Sequence, residues 1–256
     1  VLYQIEQLTK TRQIGNVAFK LHIPHFQVDK GEFLAIVGPS GCGKSTLLDI
    51  LALVLRPDVD DLTCFCLKAR RNQSDQDTDI AVLWRQNQEN RLARVRKQDI
   101  GYVLQTGGLL PFLTVKQNIG LTCRLNRTPQ ITERVQRMAA KLGIQHQLDK
   151  KPGLLSGGER QRVSIARALV HAPAVVLADE PTAAVDKERA RGIVRDFKEL
   201  AQAERTGIIM VTHDQNLIAD IADTIMTFQL NHDQHDDIEW THSTLIKQDG
   251  SDESIF

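Results

Sequence analysis

Apolar and polar residues partly alternate through Val17–Val28 (VAFKLHIPHFQV), give way to the polar turn Asp29-Lys30-Gly31-Glu32, and resume as an unbroken apolar run, Phe33 to Val37. Alternation predicts a half-buried strand, and the unbroken run a strand covered on both faces. Residues 1 to 37 therefore read as strands, an antiparallel layer leading into the Phe33–Val37 strand. A second apolar run, Leu47 to Leu55, is interrupted only by Asp49 and predicts a helix that stops at Arg56-Pro57-Asp58. Further strands are expected at 62–67, 100–104, 174–178, 207–212 and 224–230. Helices are expected within 114–151, from Ser156 to Leu169, at 187–203 and at 215–222. Thr114 and the pair Thr128-Pro129 are candidate helix starts. Val135, Met138, Ala139 and Leu142 fall at helical spacing and read as core. Strands alternating with helices point to an α/β fold with a mainly parallel sheet.

Two regions resist this patterning. Residues 68 to 98 are unusually polar, although Ile80, Leu83, Trp84, Leu92 and Val95 suggest one or two amphipathic helical pieces. Their charges read as a solvated face, with a docking surface anchored by Trp84 as the second reading. Residues 231 to 256 are polar, with His232, His235 and His242 among several aspartates. A solvated or partly ordered C-terminal extension is expected there, in preference to a metal site.

Length and charge narrow the class. At 256 residues the chain can bury a full α/β core. Acidic and basic residues number 32 each, which argues against a dedicated nucleic-acid binder. No stretch approaches the roughly 18 apolar residues of a membrane span, and VLYQIEQLTK lacks a signal-peptide pattern. A soluble protein is expected, reaching any membrane through a partner. Cys64 and Cys66 would share one face of a strand as half-buried thiols, and Cys42 is poorly placed for a structural disulfide.

Candidate chemistry begins at Gly38–Thr46, GPSGCGKST. It fits Gly-x-x-x-x-Gly-Lys-Ser/Thr and lies between a predicted strand and a predicted helix, the context a phosphate-binding loop needs. Glycines let the backbone turn its N–H groups toward one point, and the helix start adds partial positive charge. Lys44 would reach the outer phosphates and Ser45 would offer a hydroxyl to Mg²⁺. The apolar run Val175 to Ala178 ends in Asp179-Glu180. Asp179 is placed to hold the metal. Read as the next residue of an extended segment, Glu180 points to the other side, toward an attacking water, as general base or water-orienting group. Ser156-Gly157-Gly158 opens another helix whose N–H groups and hydroxyl suit an anion. It has no lysine, which suggests a nucleotide gripped from two sides, with the second grip supplied by another copy.

With these stretches in order, the chain resembles the nucleotide-binding subunit of an ABC transporter over most of residues 1 to 230. Gly38, Pro39, Ser40, Gly41, Cys42, Gly43, Lys44, Ser45 and Thr46 resemble the Walker A loop, and Val175–Glu180 resembles Walker B with its catalytic glutamate. Gln105 resembles the Q-loop glutamine, Leu155–Gln161 the family signature, Asp186 of Ala183-Ala-Val-Asp186 the D-loop, and His213 the switch histidine. The resemblance implies a RecA-like P-loop NTPase core with an antiparallel β layer and an inserted helical subdomain at about 107–171. It implies ATP and Mg²⁺ as ligands, with Ser45, Gln105 and Asp179 around the metal and Glu180, His213 and Gln105 as the catalytic set. Ser156, Gly157, Gly158, Glu159 and Gln161 would serve the ATP of a second subunit in a head-to-tail dimer, either a homodimer or a pairing with another ATPase subunit. Transmembrane permease subunits would be the further partners, with the ATPase at the cytoplasmic face of the membrane. The wording of the motifs is most similar to lipoprotein-release and macrolide-export subunits, so an export or extraction system is the expected machine. A non-transport ABC ATPase acting on ribosomes or DNA, or a nucleotide-switched regulatory module, is the alternative.

Two departures stand out. An aromatic residue that stacks on adenine is expected near residues 10 to 13, where this chain has Lys10-Thr11-Arg12-Gln13; Arg12 or the partner would take its place, since Tyr3 lies too early, in a strand. The stretch before Gln105 is long, which makes residues 68 to 98 a candidate partner-specific insertion.

Overall fold

In the computed structural model, residues 1–68, 78–183, 185–235 and 237–248 are described. Three strands open the chain: β1 (Tyr3–Ile14), β2 (Val17–Val28) and β3 (Phe33–Val37). The phosphate-loop stretch follows and leads into α1 (Lys44–Leu51). Then come β4 (Cys64–Leu67), β5 (Thr78–Asp79), α2 (Ile80–Arg85), α3 (Glu89–Asp99) and β6 (Ile100–Val103). A helical section holds α4 (Val115–Leu125), α5 (Ile131–Lys141) and α6 (Gly157–Leu169). The chain returns through β7 (Val175–Asp179), α7 (Lys187–Ala203), β8 (Gly207–Thr212) and α8 (Gln215–Ile218) to β9 (Thr224–His235) and β10 (Ile238–Lys247).

The ten strands form one sheet in the order β5-β4-β1-β2-β10-β9-β3-β8-β7-β6. The half from β9 to β6 is parallel, with β3 between β9 and β8 and β7 beside β8. The other half, β5-β4-β1-β2, is antiparallel. The expected antiparallel layer is thus the far arm of the same sheet. It is joined through β10, which runs parallel to β2 and antiparallel to β9.

Burial divides at β3. Leu34 and Ile36 face a core inside the curl of the sheet, shared with Tyr3, Phe26, Phe65 and the apolar face of α1. Phe33, Ala35 and Val37 face a second core beneath α4, α5, α6 and α7. Two-sided burial is why this strand reads as an unbroken apolar run. On the second side, α6 rides close to β6: a Cβ on Gly101 would stand 2.4 Å from the Ala168 carbonyl oxygen.

Several expectations change. Residues 231–235 and 238–247 do not form a loose extension: they belong to the strands β9 and β10, and Ser243 and Leu245 are buried. Residues 236 and 249–256, also part of the expected extension, lie outside the described residues. The run 231–234 is exposed throughout, so it shows no alternation. Trp84 is 4% exposed and packs in the first core, so it anchors the fold and no docking surface. Ile80, Leu83, Leu92 and Val95 join it there while most of the charged residues between them stay exposed, as the amphipathic pattern predicts; 69–77, the rest of the candidate insertion, lie outside the described residues. Helix α1 ends at Leu51, earlier than the Arg56-Pro57-Asp58 stop, because Leu53 takes a left-handed φ of 58°. Asp58 serves elsewhere, accepting hydrogen bonds from Lys10 Nζ at 2.9 Å and the Thr11 N–H at 2.7 Å. Helix α5 starts at Ile131 behind Gln130, not at Thr128-Pro129. Thr114, by contrast, caps α4 with a reciprocal bond from Gln117.

Candidate functional site

Strand β3 delivers the chain into the loop at Gly38, and the loop wraps the start of α1. Gly43 precedes the helix at φ 106°, in the left-handed region, and no side chain caps this end. The first N–H groups of α1 lack helical partners by construction and face the pocket mouth. Lys44 arches back, donating from Nζ to the carbonyls of Gly38 and Pro39 at 2.7 Å each. Cys42 is turned inward, 1% exposed, and burial pushes its thiol pKa up against the opposing pull of Lys44. Its sulfur fills the space beneath Gly38, where a Cβ would meet it at 2.8 Å.

A pocket of about 580 Å³ opens over this loop, lined by Ser40, Gly41, Gly43, Lys44, Ser45 and Thr46 with Gln105, Asp179 and Glu180. Asp179 closes β7 beside α1. Burial first, then the charges of Glu180 and Asp49, raise its carboxyl pKa, while Lys44 pulls it down. Asp179 with Glu180 beside it, partly offset by one ammonium, offers carboxylate oxygens of the kind a divalent cation takes, though among the described residues no group of three acids, histidines or cysteines is gathered to hold a metal alone. Ser45 and Gln105 stand on the same pocket wall and supply neutral oxygens of the kind Mg²⁺ accepts. Burial first, then the charges of Asp179 and Asp49, push the pKa of Tyr102 up.

Glu180 does not continue the strand as expected. It has left the extended conformation, with φ 44°, and its N–H donates to the Val211 carbonyl at 3.0 Å. The turn sets its carboxylate against His213 at the end of β8, whose Nδ1 lies 2.9 and 2.8 Å from the two oxygens. A carboxylate only accepts, so Nδ1 carries the proton. Glu180 is sheltered, its side chain 15% exposed, whereas His213 is 71% exposed. A non-glycine residue in this conformation, beside acidic groups in a cleft, is strain where chemistry is expected.

The remaining candidates lie apart from this pocket. Ser156 begins α6 as a capping box: its hydroxyl accepts from the Glu159 N–H at 3.3 Å, and Glu159 accepts from the Ser156 N–H at 2.8 Å. Those bonds, with Gln147 as another donor, draw the Glu159 carboxyl below its usual range. Ser156 is exposed, Gly157 and Gly158 are half-exposed, and Gln161 is buried at 5%. Asp186 caps α7 by accepting from the Arg189 N–H at 3.1 Å.

Sequence reasoning missed several residues. At the end of the pocket away from Asp179, Ile14, Val17 and Phe19 join Arg12, the one residue expected there. Phe19 presses on Gly43, where a Cβ would meet its ring at 2.9 Å. An aromatic on the core-facing side of an alternating strand was the available signal. Tyr3 is buried and donates to the Leu51 carbonyl at 2.6 Å, well away from the site. Arg167 ties α6 to the loop after Gln105, donating to the carbonyls of Gly107 and Gly108 at 2.8 and 2.7 Å.

Comparison with known proteins agrees with this geometry. The family described as "ABC transporter" matches residues 21–183. The lipoprotein-releasing system ATP-binding protein LolD of Saccharophagus degradans is 40% identical over 74% of this chain and 78% of its own length. The bacitracin export ATP-binding protein BceA of Halalkalibacterium halodurans is 37% identical over 73% of this chain and 69% of its own. A solved dimeric ATP-binding cassette, in a post-hydrolysis state with ADP and phosphate, has a TM-score of 0.69 and 28% identity, covering 88% of this chain and 94% of that one. The chain therefore belongs to the ABC transporter family, as an ATP-binding, ATP-hydrolysing subunit.

Proposed function

We propose that the subunit hydrolyses Mg²⁺-bound ATP at the pocket over α1 and, paired with a second ATPase subunit, drives an export or extraction machine in a membrane. The observation that carries this reading is the meeting of Lys44, Gln105, Asp179 and Glu180 in one pocket, with His213 bonded to Glu180. Lys44 and the loop N–H groups bind the phosphates. Ser45, Asp179 and Gln105 would hold Mg²⁺, which when bound neutralises charge on the phosphate oxygens. Glu180 takes the proton of the attacking water, and its bond to His213 holds it in place. For His213 to touch a phosphate oxygen through Nε2 it must carry a second proton. Arg12 lays its guanidinium beside the base, with Ile14 and Val17 as the apolar wall.

ABC cassettes of this kind form dimers and pair with transmembrane subunits. In the proposed arrangement two copies, or this chain and a related one, stack head-to-tail. Ser156, Gly157 and Gly158 then meet the partner's ATP, with Glu159 and Gln161 shaping that end and Asp186 at the contact. The exposure of Ser156 outside the chain's own pocket supports this. The expected cassette boundary at 230 moves outward, because β10 lies within the sheet. The helical section, about 107–171, would face the permease. Exposed Leu104 and Phe112 beside Gln105 favour that side. No helix among the described residues is long and apolar enough to cross a membrane, which fits a peripheral seat at its cytoplasmic face. Lipoprotein release and bacitracin export, named for two relatives, favour export or extraction over action on ribosome or DNA. The test is co-purification with membrane subunits, combined with ATPase assay of the complex. Stimulated turnover in the complex supports the reading; capture of RNA or DNA with no membrane subunit overturns it.

A further inference from the structure

The phosphate loop rests on a part of the chain that its own motif does not include. Ser243 lies on β10, 201 residues beyond Cys42, and is 0% exposed. Its hydroxyl donates to the Cys42 carbonyl at 2.6 Å. The neighbouring strand contributes as well: a Cβ on Gly38 would meet the ring of Phe228 at 3.2 Å. Ser243 pairs in register with Leu21 of β2, and Thr241 with Phe19. The β9–β10 hairpin and the Phe19 face of β2 thus form one floor under the loop.

A trans peptide points its carbonyl and its N–H in opposite directions. Fixing the Cys42 carbonyl toward β10 therefore aims the Gly43 N–H away from the sheet, toward the pocket that Gly43 lines. Gly43, at φ 106°, has more conformational freedom than any other residue type would, and no side-chain cap restrains this helix start. We infer that Ser243 is a positioning residue for nucleotide binding: its hydrogen bond pre-orients the Cys42–Gly43 peptide so that the loop meets the phosphates without rearranging. Pre-organisation of this kind raises affinity by removing an ordering cost at binding. It acts alike on ATP and ADP and leaves the chemical step alone.

This rests on reading Gly38–Thr46 as the phosphate site, so Lys44→Ala serves as the reference. The measurement is the Kd for ADP with Mg²⁺ by titration calorimetry, beside KM and kcat for ATP. Ser243→Ala should raise Kd and KM about five- to twentyfold with kcat at saturation within about twofold. Ser243→Thr keeps the hydroxyl on a residue suited to strands and should restore affinity. Ser243→Cys, close in volume but a weaker donor, should fall between. Ile5→Val, which loosens the same core away from the loop, should lower Tm without moving Kd. If Lys44→Ala weakens binding while Ser243→Ala leaves Kd unchanged, the positioning role is overturned. So it is if Ile5→Val matches Ser243→Ala in Kd, or if Ser243→Ala lowers kcat alone. If Lys44→Ala itself leaves Kd intact, the reading of the loop fails first.

Discussion

Two helix starts in this chain suit an anion, and they are finished in opposite ways. The start of α1 is left open: a left-handed glycine, no side-chain cap, a lysine curled over the loop, and a hairpin and Phe19 packed beneath it. The start of α6 is closed on itself, Ser156 and Glu159 satisfying each other's N–H groups in plain solvent. An open start held by a rigid floor stays poor in hydrogen bonds until a ligand arrives, which favours tight binding by a single chain. A self-capped start is stable alone and gains less from an anion. It suits a contact that must form and break in each cycle. The difference teaches that two glycine-rich helix ends in one protein need not be equivalent sites: in the proposed cycle α1 binds, and α6 completes the partner's site.

The largest expected effect lies at the open site. Glu180→Gln should slow hydrolysis by roughly 10²–10⁴ while leaving ATP affinity in place. With ATP bound and uncleaved, the paired form should accumulate, visible as a dimer by size-exclusion chromatography. Wild-type turnover in this variant would remove Glu180 as base. Lys44→Ala comes next. It deletes a charge-assisted contact of the kind that contributes about 1.5–3 kcal/mol, so the single-chain Kd for ATP should rise about ten- to hundredfold. An unchanged Kd would mean that the open start is not the phosphate site, and the contrast with α6 would collapse.

What the residues disclosed in advance follows from how local each signal is. The loop Gly38–Thr46 and the caps Thr114 and Ser156 are set by neighbours within a few positions, so they were legible. β3 and β8 were legible because burial on both faces leaves a continuous apolar run. The far end of the β9–β10 hairpin was not, since Asn231, His232, Asp233 and Gln234 are all exposed and the buried positions of β10, Ser243 and Leu245, are few and one of them is polar. A buried serine whose partner lies across the sheet leaves no trace in spacing. Trp84 was legible as part of an amphipathic piece, but the second reading, a docking anchor, fails because short α2 buries its apolar face completely. Glu180 was expected to follow strand geometry; only the backbone reveals the reversal that turns it to His213. The base end escaped because it is assembled from two strands, Arg12 and Ile14 on β1 with Val17 and Phe19 on β2, rather than from one aromatic position.

The closed start can be tested for its two roles separately. Ser156→Asp keeps a good N-cap oxygen and places negative charge at a helix N-terminus, so Tm should hold. The same charge would face a partner's phosphates and should weaken ATP-driven pairing about tenfold, with single-chain ATP affinity unchanged. Ser156→Ala should do the reverse in stability, costing about 1 kcal/mol of cap energy, or roughly 2–4 °C in Tm for a chain of this size. If Ser156→Asp pairs as well as wild type, Ser156 is a cap only, and the partner's nucleotide must be met elsewhere.

The smallest effect concerns Glu159, and its sign follows from the capping bond. The Ser156 N–H lowers the carboxyl pKa in the folded chain, so the ionised form is favoured by folding. That contribution is fully present above the usual glutamate range and is lost as pH falls through the lowered folded value. Solvent screens it, because Glu159 is partly exposed, so the effect on Tm should be modest. Comparing wild type with Glu159→Gln from pH 7 to pH 3 isolates it, since the glutamine cannot titrate. Wild type should be the more stable at neutral pH, and the gap should close in acid. A gap that persists to pH 3 would mean that packing, including the contact with Gln147, holds this helix start rather than charge. The self-capped end would then be as pH-indifferent as the open one is ligand-dependent.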